Sequence, residues 1–171
     1  MFHLKTTPPT EATGDLAKIY AMFPKEVGVP EPFEMLSASP ELIRIQAMNM
    51  GHFVHHKSLN PHVLALIRFL IATDRKLDYC INLNKGMLKR AGMTDEDFDD
   101  VLKDTARAPL EKRENQLVDF VRKTVSAPSY ASDEKIQALR DQGWKDGDIF
   151  DALHHGTSMV ALSILFTALR K

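Results

Sequence analysis

Cys80 is the one cysteine among the 171 residues. It lies in Leu77-Asp78-Tyr79-Cys80-Ile81-Asn82-Leu83-Asn84. With Asp78 as a helix cap, Cys80 falls in the first turn, where free N–H groups and the helix dipole favour a thiolate. The Asp78 carboxylate works against that charge. A thiolate there would attack a peroxide or another sulfur. The competing reading is a small core residue, a common place for cysteine. Leu77, Cys80 and Asn84 share one helix face by i,i+3 and i,i+4 spacing.

The histidines are the second reservoir of chemistry, because imidazole exchanges protons near neutral pH. His52, His55 and His56 lie close together, His62 opens the next helix, and His154-His155 come late in the chain. The His52/His56 spacing offers two metal ligands, with a third available from His62, His154 or His155. From Leu42 to Thr73 there is no Asp or Glu to complete or orient such a site. No metal site and no cofactor is expected, and His52, His56 and His155 stand as pocket-lining candidates. The run Asp95-Glu96-Asp97-Phe98-Asp99-Asp100 lacks the alternating ligands and central glycine of a calcium loop, and reads as a solvated helix start.

The elements that must carry these residues are helical. Leu16, Ile19, Tyr20 and Phe23 recur at helical spacing until Pro24, and Pro24 to Pro32 reads as a loop. Ser39-Pro40 is a cap followed by proline at the first helical position, opening a helix to about His56. Asn60-Pro61 repeats the device before Val63, Leu64, Leu66, Ile67, Leu70 and Ile71, an apolar helix suited to the centre of a bundle. After a break at Arg75 to Asp78, the Cys80 helix runs to Ala91, and Gly92 supplies a left-handed stop.

The segment from Leu88 to Leu102 recurs without a gap from Leu139 to Leu153. Gly92 matches Gly143, and Asp95, Asp97 and Asp100 match Asp146, Asp148 and Asp151. Each copy is a helix end, a glycine cap, a turn and an acid-started helix. Two copies make a duplication rather than a solenoid. Period-two alternation is absent, so the class is all-α. The expected layout is a single domain over residues 1–171, with duplicated units at about 61–103 and 110–155 and a helical extension at about 10–57.

Composition sets the outer limits. Hydrophobic residues make up 44% and charged residues 26%, with 22 basic against 23 acidic residues and a net charge of -1. That balance leaves no electrostatic footprint for nucleic acid or an anionic membrane. A lone cysteine makes no internal disulfide and fits a reducing compartment. The start, Met1 to Pro9, has no apolar stretch of signal-peptide length. The apolar run Met159 to Leu169 reads as too short to span a bilayer. A cytoplasmic protein is expected.

Tyr79-Cys80, Asn84, Gly92 and Met93-Thr94-Asp95-Glu96-Asp97-Phe98 together resemble the carboxymuconolactone decarboxylase family, which includes alkyl hydroperoxidase D (AhpD)-like proteins. Gly14-Asp15-Leu16-Ala17-Lys18-Ile19-Tyr20, Val29-Pro30 and Ser39-Pro40-Glu41-Leu42 are similar to its peroxidase-related branch. The resemblance implies an AhpD-like helical fold and a homo-oligomer. It also implies a Cys-x-x-Cys pair, a following histidine and an upstream glutamate. Matched residue by residue, the first cysteine falls on Leu77, the second on Cys80 and the histidine on Asn84, and the glutamate has no counterpart; the resemblance thus makes Leu77, Asn84 and the adjacent Tyr79 candidates to line a pocket around Cys80.

Three functions remain open. Cys80 works alone in peroxide or thiol chemistry, as a peroxidase-related antioxidant. Alternatively, Tyr79, Asn84 or His155 serves an enzyme of the decarboxylase line acting on a small lactone or keto acid. The third is a non-catalytic oligomeric protein that binds a small molecule. The expected partners are a second copy of the chain and a small-molecule substrate, with no nucleic acid and no membrane.

Overall fold

The computed structural model describes residues 1–171. It holds nine α-helices and no strand, the one extended pairing being an isolated bridge between Phe2 and Arg170. The all-α class is as expected. The chain divides into two compact units, Met1–His56 with Leu162–Lys171, and Lys57–Ala161.

The first unit contains α1 (Gly14–Tyr20), α2 (Glu31–Leu36) and α3 (Pro40–Val54), together with the end of the C-terminal helix α9 (Asp146–Leu169). Ser39 caps α3, its hydroxyl accepting from the Leu42 N–H at 3.4 Å, and Pro40 stands where no N–H partner is needed. The helix ends at Val54, two residues short of the expected His56. Helix α2 falls inside and just beyond the stretch read as a loop. Pro30 is its cap and Pro32 lies in its first turn, where a fixed φ suits a helix. Ile19, Tyr20, Phe33, Leu36, Ile43 and Ala47 form the core of this unit, with Leu162 of α9 packed against it.

The second unit is built on α4 (Pro61–Asp74), in which Val63 to Ile67 and Phe69 to Ala72 are all buried. The Asn60 side chain caps it, accepting from the His62 and Val63 N–H groups, and donates its own amide to Glu114 of α7 (Lys112–Ser126). One cap thus ties two helix starts together. The turn after α4 places Lys76 at φ 56°, in the left-handed region. Helix α5 (Asp78–Arg90) then begins with Leu77 as its cap residue, so the expected Asp78 cap moves back by one position. Cys80 still lies in the first turn.

The repeated segments share the same glycine stop and the same acidic cap. Gly92 and Gly143 have φ of 104° and 88°. The Met93 N–H donates to Leu88 O at 3.1 Å, and the Trp144 N–H to Leu139 O at 3.2 Å. Asp97 accepts from the Thr94 N–H at 2.7 Å as Asp148 does from the Lys145 N–H at 3.0 Å, opening α6 (Asp95–Lys103) and α9. Between these copies lie α7 and α8 (Asp133–Arg140). Helix α9 has 24 residues and is long and apolar enough to cross a bilayer by length and composition. The apolar run seen in the sequence is only its last part, because the helix starts on the acidic cap of the second copy.

Candidate functional site

Arg68 is the one charged residue between Val63 and Thr73 of α4. A guanidinium surrounded by apolar neighbours is costly to bury unless its donors are met. Its partners come from two other helices of the second unit. Nε donates to Asn84 Oδ1 on α5 at 2.7 Å. Nη1 lies 2.8 Å from His155 Nε2 on α9, and Nη2 lies 3.8 Å from Met87 Sδ.

Every one of these partners is neutral, and no carboxylate pairs with Arg68. Burial pulls the guanidinium down to about 10, with the Cys80 thiol acting the other way, so it is a cation at neutral pH. Burial first, and the Arg68 charge second, pull His155 down to about 3. A hydrogen bond to the Leu64 backbone opposes that shift, as a ring N–H donating to a carbonyl would. The imidazole is therefore neutral. It carries its proton on the Leu64 side and offers the Nε2 lone pair to Arg68.

Asn84 joins this cluster to the thiol. Its amide donates to the Cys80 backbone carbonyl at 2.8 Å while its oxygen takes the Arg68 bond, which fixes the orientation of the amide. Asn84 is 2% exposed and Cys80 6% exposed. Burial pushes the Cys80 thiol up, and the Arg68 charge pulls it part of the way back. The first turn of α5 adds the positive end of a helix dipole.

Gly156 lets α9 approach closely enough for His155 to reach Arg68. A Cβ at this position would lie 2.7 Å from Val121 Cγ1 and 2.9 Å from Ile71 Cδ1. Only hydrogen fits there.

Asn84 and His155 meet at Arg68, and Asn84 links that cluster to the Cys80 backbone, with the half-buried Leu77 and Tyr79 in the turn that opens α5. His52 and His56 belong to the first unit, with ring centroids 5.4 Å apart and His56 stacked on Phe53. His62 is exposed and lines a cavity of about 120 Å³ with Leu66, Leu88, Met93 and Leu110. A broader groove of about 440 Å³ runs along Lys103, Thr105, Arg122, Lys123 and Tyr130. Neither includes Cys80. Arg68 and Met87 were missed from the sequence, although a single charge inside an apolar helix is a readable signal.

Solved structures share this arrangement of helices. An uncharacterized peroxidase-related protein from Silicibacter sp. TM1040 superposes with a TM-score of 0.77 at 17% identity, over 98% of this chain and 92% of that one. The alkylhydroperoxidase AhpD core of an uncharacterized peroxidase-related protein from Ralstonia eutropha JMP134 superposes with a TM-score of 0.79 at 17% identity, over 98% and 90%. The chain has the AhpD-like fold. At that identity the likeness is one of fold, and it agrees with the resemblance read from the residues. No protein-family model and no curated protein matches the sequence. Within the AhpD-like fold, the position that the resemblance gives to a histidine holds Asn84, and Arg68 is its partner.

Proposed function

We propose that this AhpD-like chain reduces peroxides with a single thiol, Cys80, and that Arg68 supplies the charge the thiolate needs. The observation that supports this is a guanidinium with only neutral partners, joined through Asn84 to the Cys80 backbone; its charge lowers a thiol that burial raises by more. A fixed cation in a low-dielectric site stabilises the negative charge that develops on sulfur and on the leaving oxygen.

The thiol gives up its proton and the sulfur attacks one peroxide oxygen. An S–O bond forms as the O–O bond breaks, and the departing alkoxide takes a proton to leave as an alcohol, or as water from hydrogen peroxide. Sulfur is oxidised to a sulfenic acid and the peroxide is reduced. A small thiol then condenses with the sulfenic acid, releasing water and leaving a mixed disulfide. A second small thiol returns Cys80 to the reduced state and departs as the external disulfide.

The lactone or keto-acid reading receives less support. Decarboxylation next to a carbonyl needs a proton donor. His155 is neutral, and its Nε2 lone pair already accepts from Arg68, while Asn84 does not exchange protons at neutral pH.

The test is mass spectrometry after one equivalent of hydrogen peroxide, with dimedone present to trap sulfenic acid. The adduct is expected on Cys80 of the folded protein. A thiol that is modified only after denaturation would remove the proposal and leave a small-molecule binder.

We also propose a homo-oligomer. Leu42, Ile45 and Met48 on α3 are large, apolar and exposed, Met48 by 77%, and exposed apolar side chains that recur at helical spacing suit cover by a partner.

A further inference from the structure

We infer that Arg68 is the seat of a small-anion site, and that the anion it takes is a monocarboxylate. This goes beyond the thiol chemistry and does not depend on it, because it rests on the unbalanced charge and on the donors left over.

A guanidinium carries five N–H donors in a planar fork. Asn84 takes the Nε donor, His155 takes one from Nη1, and Met87 meets one from Nη2. One N–H remains on each terminal nitrogen. A carboxylate spans such a pair with its two oxygens, which a spherical halide does not do. The three existing contacts hold the fork still, so little freedom is lost when a ligand arrives. Arg68 as a whole residue is half-buried, with its charge held among the partners named above.

The surroundings favour an anion over any other ligand. Asn84 presents its oxygen to Arg68 and its amide to the Cys80 carbonyl, so neither end is turned to a second cation. The lone pair of His155 points at the same guanidinium. No carboxylate from the protein competes for the charge. A buried cation without a counter-charge is a costly arrangement, and a bound carboxylate relieves that cost.

The test is an acetate titration followed by amide chemical shifts of the full chain, with sodium chloride at equal ionic strength as the control. Saturable shifts clustered on residues 64–68, 80–87 and 155 are expected, with a dissociation constant on the order of millimolar, as for a ligand of few atoms. Arg68→Met should weaken binding at least about tenfold, whereas Arg68→Lys, a point charge without the fork, should fall between the two. Cys80→Ser should bind acetate as the wild type does while losing all peroxide reactivity, so the two proposals fail separately. Acetate shifts that match those of chloride, or that persist in Arg68→Met, would overturn the inference. The circular dichroism of Arg68→Met verifies its fold, and His155→Ala provides a second variant that keeps the cation but frees one donor. Saturable acetate binding retained in His155→Ala is the expected result, and its loss there with the fold intact would contradict the site.

Discussion

Nη1 of Arg68 lies 2.8 Å from Nε2 of His155, so a cation and a neutral imidazole share one contact with no carboxylate between them. Catalytic and structural guanidinium groups are more often balanced by acids. Here three helices of one unit, α4, α5 and α9, meet the charge with an amide, an imidazole and a thioether. The arrangement makes His155 a neutral acceptor and leaves Cys80 as the protein group nearest in chemistry to a counter-anion.

The low value of His155 sets the acid side of stability. An imidazole held neutral in the folded chain and free to protonate in the unfolded one adds stability above the unfolded value of 6.5, and loses it as pH falls toward about 3. Stability should therefore decline as pH drops below about 6.5, with a slope approaching about 1.4 kcal/mol per pH step from this one group. Urea unfolding of the wild type and of His155→Gln between pH 7 and pH 4 measures it. The variant should show the shallower decline.

Cys80 should react faster as pH rises. Burial holds the thiol above its ordinary range and Arg68 only partly reverses this, so the thiolate fraction grows through alkaline pH. Labelling with a small alkylating reagent should increase continuously to the alkaline limit of folding, with no plateau near neutrality. In Arg68→Met the whole profile should move to higher pH.

Gly156→Ala should cost stability. The new methyl would press on Val121 and Ile71 at distances no real Cβ contact shows, and overpacking of this kind costs about 1–3 kcal/mol. The midpoint of urea unfolding reports it. Because the shift would carry His155 away from Arg68, peroxide reactivity should fall in the same variant.

Lys76→Gly should stabilise the protein. Lys76 holds φ of 56° in the turn between α4 and α5, and a side chain there costs about 1 kcal/mol or somewhat more relative to glycine. Thermal unfolding should show a rise in Tm.

The parts legible in the sequence are those encoded within a few residues of one another. Leu88-Gly92-Met93 and Leu139-Gly143-Trp144 announce the same stop, and the structure gives both the same backbone hydrogen bond. Cys80 and His155 could be named as candidates from residue type, and Asn84 from the resemblance. Their meeting point was not legible, since Arg68 finds Asn84 sixteen residues away and His155 eighty-seven residues away. Two local errors have local causes. Pro30 and Pro32 read as loop although they begin α2, and Asp78 read as a cap although Leu77 holds that position.

The size of the particle tests the proposed assembly. With Leu42, Ile45 and Met48 exposed on α3, light scattering at micromolar concentration should give a mass above that of one chain. Ile45→Lys with Met48→Glu should lower it.

The most direct measurement is the rate of sulfenic acid formation at Cys80 under hydrogen peroxide, in the wild type and in Arg68→Met. Loss of the guanidinium should slow the wild-type rate at least about tenfold, equivalent to about 1.4 kcal/mol at the transition state. Equal rates in the two proteins, or no sulfenic acid in either while folded, would contradict the role given to Arg68.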